Sequence, residues 1–497
     1  MLFNSTNFLI FFPIVVTLYF LIPNKFRNFY LLLCSYFFYM CWDAKYALLL
    51  LASTLITYFV GRLIALIPKE ESDKQKQVLK KVFVAVGFVA NLGILFFFKY
   101  TNFLIDNINV ILENLGIAIV SIPFDIVLPV GISFYIFQAL GYTVDVYRGD
   151  VKAEKNFIKY AVFVSFFPQL VAGPIERSAN LLKQFDVIHK FDFERAKNGI
   201  LLMLWGYFQK VVIADRIAVF VNTVIDYPQY YGTFELLAAI VLFAFQVYCD
   251  FAGYSYIAIG ASQVLGFSLM DNFDAPYFGR SVAEFWRRWH ISLTSWFRDY
   301  LYFPLGGSRC SKKKNYRNIM IVFLVSGIWH GASWTYVIWG GLNGLYQVIG
   351  KMIDPAKKKM YQFFSVNENA FSHKLMQTII TFCLIDFSWI FFRATDIKSA
   401  FVIIQRMFTQ WNPWVLFDGT MSTLGLSGLE LAIGLFAIMI LLIVDRMHHK
   451  GIRLREKLAE QGIWFRWMLY IGAIFTLLIF GIYGPEFDAS QFIYFQF

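Results

Sequence analysis

The chain has 497 residues, of which 58% are hydrophobic and 20% aromatic, and its mean hydropathy is +0.57. Soluble domains run at about 45–50% apolar residues, so a water-soluble globule is excluded and much of the surface must face lipid. The formal net charge of +11 falls in short clusters between apolar runs and not on a soluble basic domain, which excludes nucleic acid as a partner.

Apolar runs lie near 7–22, 29–42, 46–67, 82–98, 121–140, 156–172, 198–222, 235–265, 318–350, 376–393, 430–445 and 467–483. At ~20 apolar residues per span they predict an all-α polytopic membrane protein with about 11–13 transmembrane helices. The first run has no basic leader and no small-residue cleavage site, so it reads as a retained helix. Weaker amphipathic stretches near 101–115 and 281–303 read as interfacial or re-entrant helices. No repeat or low-complexity tract interrupts the chain, so a single membrane domain covering 1–497 is expected. Cys34, Cys41, Cys249, Cys310 and Cys383 are scattered, with neither a disulfide framework nor a metal-ligand spacing. No metal is expected.

Orientation follows from where Lys and Arg collect. Residues 68–81, 177–197, 309–317, 351–359 and 446–457 are basic and are expected in the cytoplasm. Residues 225–234, 407–429 and 484–497 carry no Lys or Arg and are expected outside, the C-terminus with them. The clusters 309–317 and 351–359 both belong on one side, yet 33 mostly apolar residues separate them. Those residues must form a hairpin or re-entrant loop that turns near 330–335. His330 lies there, within VSGIWHGASW (325–334), where Ser326, Gly327, Gly331, Ala332 and Ser333 allow close helix approach.

Six histidines are present. His189, His373, His448 and His449 fall in basic segments and read as solvated. His290 and His330 each follow a Trp in aromatic, small-residue surroundings, and an ionisable group at membrane depth is a functional hypothesis by default. Imidazole is the natural general base near neutral pH, able to deprotonate a hydroxyl that attacks an acyl carbonyl. The bland alternative is a neutral ring fixing a bend. In FWRRWHISLTSWFRDYLYFPLGG (285–307), Arg287, Arg288 and Arg298 alternate with Trp286, Trp289 and Trp296. This block reads either as an aromatic belt with snorkelling cations or as arginines facing phosphates. Asp250 in YCDFAGYS and Asp386, seven residues before Arg393, are carboxylates inside apolar runs. Either can pair with a cation, and Asp250 can also orient a histidine or a substrate hydroxyl.

The 285–307 block, the VSGIWHGASW segment and YCDFAGYSYIAIG (248–260) closely resemble the membrane-bound O-acyltransferase (MBOAT) family. The resemblance is strongest to its bacterial branch, the alginate and peptidoglycan O-acetyltransferases. GISFYIFQ (131–138) and FFPQLVAGPIER (166–177) are similar to the same branch, and the likeness is strong over roughly 130–350. It implies a ring of helices around a funnel with a thin, tunnel-pierced floor. It also implies His330 as the catalytic residue and His290 as a second functional position. Trp286, Arg287, Arg288, Trp289, Arg298, Asp250 and Trp329 would bind donor or substrate. The activity implied is transfer of acetyl from a cytoplasmic thioester, acetyl-CoA or another, to an extracytoplasmic glycan, with no bound cofactor. The setting implied is a bacterial cytoplasmic membrane, with an extracytoplasmic SGNH-type esterase-fold protein as partner. The chain ends FIYFQF (492–497), similar to a Phe-x-Tyr motif that a separate small protein carries in teichoic-acid D-alanylation, which makes Tyr494 a candidate acyl carrier. Two alternatives stand beside this reading: D-alanyl transfer to teichoic acid, and a transporter without acyl chemistry.

Overall fold

The computed structural model describes residues 1–68, 74–121 and 126–483. Tyr494 and the FIYFQF tail lie outside the described residues. Every regular element among them is helical, as a chain immersed in lipid requires, since helices satisfy their backbone groups internally. Packing divides the chain into two compact units, Met1–Leu202 with Ile257–Met270, and Met203–Tyr256 with Asp271–Phe497.

The first unit opens with α1 (Thr6–Leu21), whose N-cap Ser5 accepts a bond from Phe8 N, and α2 (Asn24–Met40), which follows directly after Pro23. Then come α3 (Ala47–Leu66), α4 (Lys74–Asn114) and α5 (Ile132–Arg148). α6 (Phe157–Ser165), the short α7 (Phe167–Leu170) and most of α8 (Phe193–Tyr207) complete it. α4 is one helix of 41 residues, so the amphipathic stretch near 101–115 continues the preceding run and is not a separate interfacial element. Small residues set the packing. A Cβ at Gly61 would sit 2.8 Å from the Tyr142 ring, so α3 and α5 approach only because it is absent. Gly131 starts α5 at φ +73°, and a Cβ there would meet Leu170 O at 2.6 Å. This brings GISFYIFQ against FFPQLVAGPIER. Gln138 donates to Phe163 O at 2.5 Å, and Gln169 donates to Gln138 at 3.0 Å, both buried. His189, read from sequence as solvated, is buried instead. Its ring lies on Phe267 with centroids 4.5 Å apart, its Nε2 is 3.0 Å from Gln184 O, and Arg27 donates to its carbonyl. The aromatic wall of Phe267 recruits the ring into the protein.

In the second unit a π-helical segment, Phe208–Ala214, links the end of α8 to α9 (Asp215–Ile225). α10 (Thr233–Leu265) follows, then two short helices, α11 (Val282–Arg288) and α12 (Ile291–Phe297). α13 (Lys312–His330) and α14 (Trp334–Phe363) form a hairpin. α15 (Phe371–Arg393), α16 (Ile397–Thr409), α17 (Gly428–His449), α18 (Leu454–Ala459) and α19 (Ile463–Phe480) complete the order. The hairpin turns at 331–333, inside the window that the two basic clusters demanded. Its arms touch through glycines: a Cβ at Gly327 would lie 2.3 Å from Tyr336 O, and one at Gly340 2.3 Å from Phe323 O. At 1.5 Å per residue the 19-residue α13 carries its tip roughly 28 Å from the basic root.

Among the described residues six helices are long and apolar enough to cross a membrane: α3 with its preceding turn, α4, α10, α15, α17 and α19. Fewer helices meet this length and hydropathy criterion than the 11–13 spans expected, because other apolar runs fold as shorter or broken elements. α1 and α2 have 16 and 17 residues. The run 121–140 is helical only after Gly131, the run 156–172 breaks at Phe166 before Pro168, and the run 198–222 contains the π-helical segment. Periodicity and hydropathy see the apolar length but not these interruptions.

Candidate active site

The local chain from 271 to 297 is built to hold one histidine. Ser281 caps α11 by accepting from Glu284 N at 3.2 Å, and the helix ends when Trp289 turns extended. His290 then takes φ +45°, a left-handed conformation that a residue with a Cβ adopts at a cost of about 1–3 kcal/mol. Two backbone bonds hold the bend from either side, Asp274 N to Arg288 O at 3.0 Å and Ile291 N to Asn272 O at 2.9 Å. The His290 side chain is buried, with Nδ1 3.1 Å from Asn272 Oδ1 and its ring 4.6 Å from Phe251 and 6.0 Å from Trp329, centroid to centroid.

His330 ends α13 at the hairpin tip and is also buried. Its ring is caged edge-on by Trp329 at 4.9 Å, Trp339 at 5.0 Å and Phe392 at 5.4 Å. The Trp329 indole touches both imidazoles, so the structure brings His290 and His330 to one aromatic cluster. Around it, Trp286 donates from Nε1 to Asn343 at 3.1 Å and packs on Trp339, while Trp289 stacks on Phe285 and meets Trp389. An imidazole walled by aromatic rings is shielded from water, and a base so placed takes its proton from the group beside it.

Several of the other sequence candidates have firm partners. The Arg288 guanidinium is held by Asp274 at 3.0 Å and Glu284 at 3.1 Å, so two carboxylates occupy it where a phosphate was one reading. Arg298 is exposed and paired with Asp299 at 3.0 Å, and Arg287 is exposed. Asp250 is ion-paired with Lys210 at 2.6 Å, and Lys210 also reaches Asp215 at 2.8 Å, with all three buried. The Asp386–Arg393 pair is not formed. Arg393 instead bonds Asn222 on α9 at 2.8 Å and its C-cap Asp226 at 2.7 Å, and seven residues along a helix separate the Asp386 and Arg393 side chains by roughly 10 Å.

Sequence reading missed Asn272, Lys210, Trp339 and Phe392. Lys210 offered a signal, as one of two cations, with Arg216, inside the apolar run 198–222. Trp339 and Phe392 looked like any core aromatics, and Asn272 like any turn asparagine.

A family model described as MBOAT, membrane-bound O-acyltransferase family, matches residues 150–393, which include all these site residues. A probable alginate O-acetylase AlgI from Pseudomonas syringae pv. tomato is 36% identical over 437 residues, covering 87% of this chain and 79% of the relative. The chain belongs to the membrane-bound O-acyltransferase family. A peptidoglycan O-acetyltransferase from Helicobacter pylori is 33% identical over 439 residues, 82% of this chain and 80% of that protein. A teichoic acid D-alanyltransferase from Streptococcus thermophilus is more distant, at 29% over 232 residues, 44% of this chain and 56% of that one. As a member of the MBOAT family the chain is an acyltransferase and a multi-pass membrane protein. Membership sets aside the reading as a transporter without acyl chemistry.

Proposed function

We propose that this protein moves an acetyl group from a cytoplasmic thioester, acetyl-CoA in the simplest case, across a bacterial cytoplasmic membrane for O-acetylation of an extracytoplasmic glycan. The observation that carries the reading is His330, buried in an aromatic cage at the tip of a hairpin whose two roots carry the Lys clusters. His330 acts as general base. It takes the proton of an acceptor hydroxyl as that oxygen attacks the thioester carbonyl, the C–S bond breaks, and the imidazolium returns the proton to the leaving thiolate. The carrier stays in the cytoplasm and only the acyl arm reaches the base. The tryptophans around His330 and the exposed Arg287 line the donor side, while Arg288 and Arg298 brace the block through their carboxylate partners.

The glycan is peptidoglycan or an alginate-like polysaccharide, following relatives that align along most of both chains. The D-alanyltransferase aligns with less than half of this chain, which ranks D-alanyl transfer second. The acceptor is the phenol of Tyr494, or a hydroxyl on an SGNH-type partner outside the membrane that completes the transfer. A phenol with a pKa near ~10 needs a base at neutral pH, and its ester is activated enough to pass the acyl group on.

Glycan O-acetylation measured in cells that carry single variants tests this reading. His330→Ala should lower it by roughly 100-fold or more, the span a positioned base supplies, with protein levels unchanged. Near-normal acetylation in that variant would remove His330 from the chemistry. Tyr494→Phe deletes one oxygen and keeps the ring. Wild-type acetylation there would leave Tyr494 an anchor and make the partner hydroxyl the direct acceptor.

A further inference from the structure

Asn272 is buried, and its amide is the hub of the hydrogen bonds around His290. Its Oδ1 accepts from Ser292 N at 3.3 Å and Ser292 Oγ at 2.9 Å and lies 3.1 Å from His290 Nδ1, while its Nδ2 donates to Ser255 Oγ at 3.0 Å. These contacts fix a proton. A backbone N–H can only donate, so the amide atom that faces Ser292 N is the oxygen. An amide oxygen can only accept, so His290 Nδ1 carries the hydrogen. A neutral imidazole with Nδ1–H has its lone pair on Nε2. The opposite tautomer would set a ring lone pair against the amide oxygen at 3.1 Å, closer than the Ser292 Oγ contact of 3.4 Å. The main chain of Asn272 acts in the same sense, because its carbonyl receives Ile291 N and so fixes the left-handed turn that aims the ring.

We infer that Asn272 is a positioning residue that holds His290 as the Nδ1–H tautomer, so that His290 enters acyl transfer through Nε2 as a hydrogen-bond acceptor. An Nε2 lone pair cannot stabilise the oxyanion that forms on the thioester carbonyl, which needs donors. His290 therefore belongs on the acceptor side, beside the hydroxyl that loses its proton, and leaves the carbonyl to other groups. The place in acyl transfer rests on the function proposed above. The tautomer does not.

Solid-state NMR of protein carrying heavy-nitrogen histidine in lipid bilayers reads the tautomer directly, with His290→Gln assigning the ring by the signal that disappears. The expected result is a protonated Nδ1 and an unprotonated Nε2 in the wild type, and loss of that preference in Asn272→Leu. A protonated Nε2 in the wild type, or an unchanged tautomer in Asn272→Leu, would overturn the assignment. Activity gives the second arm. Asn272→Asp keeps an oxygen acceptor opposite Nδ1 and should stay within several-fold of wild type, whereas Asn272→Leu should lose ~10–100-fold, as removal of a partner that orients a histidine typically does. Equal losses in the two variants would make Asn272 structural only. An inactive wild-type protein with the expected NMR signals would sink the functional reading and leave the tautomer standing.

Discussion

Lys210 holds its ammonium between two carboxylates where water has been removed, on a π-helical turn whose extra residue pushes it towards Asp215 and Asp250. Taking away one member of a buried ionic group costs more than the group itself contributes, because the remaining charges lose the compensation it supplied. Lys210→Met should destabilise the protein by about 3–5 kcal/mol, read as a lower unfolding temperature in detergent. An unchanged transition would show that the two carboxylates are neutralised without it. The histidines were legible at this scale, since an imidazole after a Trp in an apolar run stands out against its surroundings. The contacts that give them a role were not. Asn272 lies 18 residues from His290 in the chain, and only the folded loop reveals that one amide sets one tautomer. Asp386, open to pairing with a cation such as Arg393, does not meet it for a matching reason: proximity in sequence is not proximity on a helix, and Asp226 at the end of α9 holds the Arg393 guanidinium instead.

The hairpin of α13 and α14 is the element on which the site depends. Its existence could be read from charge, because two Lys clusters that share a side and are separated by apolar residues force the chain to reverse. Its packing could be read from the glycines. Gly327→Leu must drive its new carbons into Tyr336 O, which a backbone 2.3 Å from the Cβ position cannot accommodate. Overpacking of this kind costs about 1–3 kcal/mol and moves the tip that carries His330. Gly350, on α14 beyond the contact, has nothing within 4 Å of its Cβ position, and Gly350→Ala should stabilise the helix by roughly 0.5–1 kcal/mol. Thermal unfolding and acetylation measured on the pair should separate them, the first variant losing both and the second neither. Equal behaviour would mean that the arms are not in close contact. The interrupted elements could not be read in this way. The break at Phe166 and the π-helical Phe208–Ala214 lie within continuous apolar runs, and tertiary packing decides them.

For the whole molecule, the positive-inside rule makes one global claim: the Lys clusters at 312–314 and 357–359 face the cytoplasm and the Lys-free segment 407–429 faces outward. A cysteine introduced as Lys313→Cys into a cysteine-free background should react with an impermeant thiol reagent only after the membrane is opened. Labelling in intact cells would invert the topology and put the thioester on the wrong side of the site. The class of molecule followed from composition, and the family from the three motifs in 248–334. Which apolar runs fold as single long helices did not follow, because sequence hydropathy cannot distinguish a continuous helix with no buried residue, such as α19, from short segments enclosed by protein, such as α6 and α7.

In the proposed function this acyltransferase runs its thioester chemistry through His330. Purified wild-type protein and the His330→Ala variant, each in detergent and incubated with radiolabelled acetyl-CoA, test it most directly by the release of free coenzyme A thiol. Thiol release is expected from the wild type, with a loss of roughly 100-fold or more in the variant and the same unfolding transition in both proteins. Thiol release by His330→Ala at the wild-type rate would contradict it.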